Sequence, residues 1–72
     1  AKQANYPKAI EAIEQLKLLR HGDARILYNA ASLYYSNKNK AAARQNAEAG
    51  LAVVGDDQGL RQLFLNFLSK LK

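Results

Sequence analysis

The chain has no cysteine, no methionine and no tryptophan, and only one proline and one histidine in 72 residues. Lack of cysteine excludes disulfide staples, thiolate metal ligands and a cysteine nucleophile. The sole histidine, His21, has no cysteine or second histidine to join it in a nucleophilic or metal-binding constellation, and beside Gly22 it reads as a helix C-terminal residue favoured by the dipole. The four glycines stand apart from one another, so there is no glycine-rich phosphate loop. Long apolar runs are also missing. Leu51–Val54 is among the longest, against the roughly 18 to 20 residues that cross a bilayer. The opening Ala1–Pro7 lacks the apolar run of a signal peptide, and a start on Ala1 rather than Met reads as a piece of a longer or processed chain. These absences predict a soluble chain without catalysis, cofactor, metal or membrane span, and they assign no compartment.

What remains is one small domain of 8.0 kDa. Hydrophobic residues make up 49% of it, yet a chain of this length buries only roughly 60% of its unfolded surface, so the core is thin. Eleven lysines and arginines against six carboxylates give a net charge of +5, which attracts polyanions if the charge gathers on one face.

Hydrophobic spacing has the helical period throughout, and short turn signals divide the chain into four helical segments. The fold class is all-α. The first segment opens at Pro7 and runs to Arg20, with Ala9, Ile10, Ile13, Leu16 and Leu19 apolar. Gly22 stops it and Asp23 caps the next, which runs from Ala24 to Ser36. There Leu27, Ala30, Ala31 and Tyr34 form one stripe, and Tyr28, Ser32 and Tyr35 a more polar one beside it. After the turn Asn37-Lys38-Asn39, a segment from Ala41 to Val54 carries the small residues Ala43, Ala47 and Gly50, which imply close helix approach. Gly55-Asp56-Asp57 repeats the stop and restart. The last segment places Leu60, Leu63, Phe64, Phe67, Leu68 and Leu71 at helical spacing, and its two phenylalanines are expected to be buried.

A period of 34 residues runs through this pattern. Asn5 pairs with Asn39, Ala9 with Ala43, Glu14 with Glu48 and Asp23 with Asp57, and the glycine–aspartate punctuation recurs with them. In these features the chain resembles the tetratricopeptide repeat, a unit of two antiparallel helices. Tyr34 falls on the family's tyrosine, Ala30 and Ala31 replace its Leu-Gly pair, and Ala43 and Gly50 match its small positions. Leu27 and Ala47 depart from aromatic positions, and Gly55 stands where proline is usual. The resemblance implies a single domain over 1–72, a right-handed array of about four helices in stacked hairpins. Within it, 5–22 is the second helix of a preceding repeat, 23–57 a complete repeat and 58–72 a capping helix.

It further implies a protein or peptide partner lying in a groove along the first helix of the complete repeat, against Arg25, Tyr28, Asn29, Ser32, Tyr35 and Ser36. Chaperone-type carboxylate clamps need more basic residues than Arg25 with Asn29 supplies. Ile10, Ile13, Leu16 and Leu19 on the first segment are expected to meet the rest of a longer protein or a second copy of the chain. Glu11 and Glu14, one turn apart, read as a solvated face rather than an acid–base pair. The alternative function is a basic helical module that holds nucleic-acid phosphates through Lys38, Lys40 and Arg44, with Lys2, Lys8, Lys70 and Lys72 at the chain ends.

Overall fold

Side chains of four polar residues start the helices. Asn5 accepts a hydrogen bond from the Lys8 N–H (3.2 Å), Asp23 from the Arg25 and Ile26 N–H groups (3.0 and 3.4 Å), Asn39 from Ala42 (3.1 Å) and Asp57 from Leu60 (3.0 Å). Each satisfies donors that the first helical turn leaves unpaired, a contribution of about 1 kcal/mol per cap. The computed structural model describes residues 5–71, and the helices that follow these caps are α1 (Tyr6–Leu19), α2 (Ala24–Ser36), α3 (Lys40–Val53) and α4 (Gln58–Lys70). The fold is all-α, with no strand among the described residues. Helix α3 begins one residue before the expected Ala41, because Asn39 rather than Lys40 is its cap.

The 34-residue period is present in the geometry. Helix α3 starts 34 residues after α1, and α4 starts 34 after α2; the lengths are 14, 13, 14 and 13 residues and the caps alternate Asn, Asp, Asn, Asp. Gly22 (φ 74°) and Gly55 (φ 66°) take the left-handed conformation that ends α1 and α3. The turn after α2 does the same with Lys38 (φ 63°), while the Lys38 and Asn39 N–H groups donate back to Tyr35 and Tyr34 carbonyls at 3.0 and 2.8 Å. This doubly bonded closure satisfies two end carbonyls and holds a lysine where glycine is usual.

Connections this short force antiparallel neighbours. Helix α2 packs most extensively on α3, α1 packs on α2, and α4 on α3, giving an array of hairpins. Small side chains make the central pair close: Ala30, Ala31, Ala43 and Ala47 are completely buried. Gly50 in turn lets α4 approach α3, since a Cβ there would overlap the edge of the Phe64 ring. Phe64 and Phe67 fill the core from α4 as expected, and Tyr28 meets both edge-on, with centroids 5.4 and 5.9 Å away. Burying a phenylalanine stabilises by about 1.5–3 kcal/mol through area alone, and each ring pair adds about 0.5–1.5. On α4 the apolar set is wider than the buried stripe: Leu63 and Leu65 flank the phenylalanines and remain exposed.

Helix α1 is attached differently. Ile13 is its one buried side chain, so the expected open face on α1 loses Ile13 and half of Ile10 to the bundle. Leu16 (41% exposed) and Leu19 (79%) stay open, and Leu18 (64%) joins them at the C-terminal end. Polar groups supply the rest of the attachment. The Tyr34 hydroxyl donates to Glu14 Oε2 at 2.6 Å, and Lys17 Nζ donates to the same oxygen at 3.3 Å and to Asn46 Oδ1 at 2.6 Å. Buried Asn46 in turn donates to the Ala42 carbonyl at 2.8 Å. Glu14 is therefore a structural acceptor rather than a solvated partner of Glu11. The Tyr34 hydrogen bond holds its carboxyl below the ordinary carboxylate range, and the bond to Glu14 with partial burial pushes the Tyr34 hydroxyl up to about 12.

Candidate partner-binding groove

Because α2 and α4 both lean on α3 and start at equivalent caps, their N-terminal halves lie side by side with a furrow between them. The furrow is an open cavity of about 420 Å³ lined by Arg25, Tyr28 and Asn29 from α2 and by Asp57, Leu60 and Leu63 from α4. Its floor is apolar, since Tyr28 lies against the two phenylalanines and Leu60 packs on the core. Its rim is polar. Arg25 and Asn29 are exposed, and neither side chain is engaged in an ion pair or hydrogen bond among the described residues. Asp57 is occupied in capping α4, so Arg25 faces a carboxylate already hydrogen-bonded to backbone.

Three of the six residues expected along α2 thus come together at this cavity: Arg25, Tyr28 and Asn29. Ser32, Tyr35 and Ser36 continue the strip toward the helix C-terminus outside it, and Tyr35 rests edge-on against Phe67 with centroids 5.6 Å apart. The tyrosines therefore have a packing role that the polar-stripe reading of α2 did not include. The wall from α4 is not foreseen, and the period gives only part of it: Leu63 lies 34 residues after Asn29, while Asp57 and Leu60 correspond to Asp23 and Ile26, which are outside the expected strip.

A second cavity of about 330 Å³ opens on the other flank of α4, between Arg44 and Glu48 of α3 and Leu65, Leu68, Ser69 and Leu71. Arg44 and Glu48 pair with each other along the α3 wall at 3.3 Å, both well exposed, which makes this wall more self-satisfied than the α2–α4 rim. Among the described residues no group of histidine and carboxylate side chains is arranged to hold a metal ion, and no helix is long and apolar enough to cross a membrane. Lys2 and Lys72, two of the expected basic positions, lie outside the described residues. No family model, curated protein or solved structure matches the chain, so the α2–α4 furrow stands on its own geometry.

Proposed function

We propose that the chain is a protein-interaction module that receives a segment of a partner protein in the furrow between α2 and α4. The observation that carries this reading is the pairing of an apolar floor with unengaged polar rim groups: Leu63 is 46% exposed beside Tyr28, while Arg25 and Asn29 present side-chain donors that no group among the described residues accepts. Such a furrow takes an apolar side chain and bonds the backbone on either side of it. The 34-residue recurrence of caps and helix lengths supports an array of tetratricopeptide type, and the open leucines at the end of α1 support its stacking against a further helical pair.

Selection of displayed random peptides against the 72-residue chain tests the groove. One apolar anchor should be enriched, and calorimetry of the selected peptide should show Leu63→Ala and Asn29→Ala each weakening binding about fivefold or more, a loss of about 1 kcal/mol. Leu65→Ala, on the opposite flank of α4, should leave affinity unchanged. No enrichment, or an equal loss with Leu65→Ala, would remove the groove as the binding site.

A further inference from the structure

Antiparallel order sorts the charges of this protein by end. At one end lie the start of α1, the α2–α3 turn and the close of α4; at the other lie the α1–α2 and α3–α4 turns. Arg20, Arg25 and Arg61 fall at the second end with Asp23, Asp56 and Asp57, three of each sign. In the middle Lys17 is joined to Glu14, and Arg44 to Glu48. The first end holds Lys8, Lys38, Lys40 and Lys70, all exposed and none in an ion pair among the described residues, where Glu11 is the one carboxylate side chain at that end. The positive excess of the described residues thus sits on one end of the bundle. It is no property of the whole surface.

We infer that this lysine end binds the phosphate backbone of nucleic acid without reading sequence. Four compact ammonium groups on separate elements can each meet a phosphate along a strand as point charges, which suits contact without base readout; the arginines free of ion pairs, whose planar fork gives bidentate recognition, are at the opposite end. Lys70 Nζ lies 5.9 Å over the Phe67 ring centroid, a cation–π contact that engages one side of an exposed ammonium whose other side stays open to a phosphate. A lipid surface fits less well, because insertion needs several apolar side chains beside the charges: Tyr35, 36% exposed and resting on Phe67, lies at the lysine end, but the exposed Leu16, Leu18 and Leu19 are toward the other end of the molecule. The α2–α4 furrow also opens toward that other end, so this site is independent of the groove.

Fluorescence anisotropy of the 72-residue chain with two labelled 20-base-pair duplexes of unrelated sequence tests the inference. Both should bind equally, and affinity should fall about 150-fold between 50 and 200 mM salt if all four lysines engage. Lys38→Gln with Lys40→Gln should lower the salt slope by about 2, because each lost phosphate contact removes about 1. Arg20→Gln with Arg61→Gln removes the same charge from the opposite end and should leave the slope unchanged. Equal effects of the two pairs would show net charge alone at work and overturn the assignment. So would tighter binding to phosphatidylserine–phosphatidylcholine vesicles than to duplex, or displacement of duplex by polyglutamate at equal charge concentration. All four exchanged side chains are exposed, and circular dichroism checks that each pair leaves the helices in place.

Discussion

Helices α1 and α4 flank the same central pair and are held to it by opposite means. Helix α4 inserts two phenylalanines, one of them into the space left by a missing side chain at Gly50, and is bound by apolar and ring contacts. Helix α1 buries one isoleucine and relies on the chain Tyr34–Glu14–Lys17–Asn46. Apolar packing depends on shape and is nearly indifferent to pH, whereas a carboxylate-centred attachment depends on protonation and is partly screened by solvent. The two sides should therefore fail under different conditions.

Phe64→Ala is the sharpest way to break the apolar side. It should cost about 3–5 kcal/mol, most of the stability of so small a core, and urea unfolding followed by circular dichroism should show loss of the cooperative transition. Gly50→Ala attacks the same contact from α3: overlap with the ring should cost about 1–3 kcal/mol, and a midpoint within error of the parent would show that the ring has room to move aside.

On the α1 side, Tyr34→Phe should cost about 1 kcal/mol, the low end for a bond to a charged acceptor because the Glu14 side chain is 40% exposed. Its signature is in pH. A raised tyrosine value means the contribution is complete below about pH 10 and is lost as pH climbs toward 12; a lowered glutamate value means it is complete above about 4.5 and fades below. The parent should therefore lose stability relative to Tyr34→Phe at both extremes, and parallel curves for the two proteins would refute the coupling.

Much of this arrangement is legible in the sequence because it is set by local chemistry. Gly22, Asp23, Asn39, Gly55 and Asp57 each act within one turn of the chain, and they divide it where the helices begin and end. Burial of Phe64 and Phe67 follows from helical spacing. The polar attachment of α1 does not, since Glu14, Lys17, Tyr34 and Asn46 come from three elements and no local pattern distinguishes Glu14 from solvated Glu11. The α2 side of the furrow, Arg25, Tyr28 and Asn29, entered only through the resemblance to the tetratricopeptide repeat, since no local pattern marks those residues as a groove. Its other wall was not legible: a 34-residue shift of Arg25, Tyr28 and Asn29 gives Gly59, Gln62 and Leu63, of which Leu63 alone lines the furrow. Left-handed Lys38 was not foreseen, because its conformation is set by the double hydrogen-bonded closure of α2, where residue type alone favours glycine.

The gap at Gly50 also limits sliding. It is the only glycine in α3, with Ala47 one turn before it and Val54 one turn after, both buried. A ring displaced along α3 by a turn in either direction would meet a side chain in place of the gap. The glycine thus works as a notch that disfavours sliding of α4 by a turn, and the residues α4 contributes to the furrow and to the lysine end share the alignment that this missing methyl group permits.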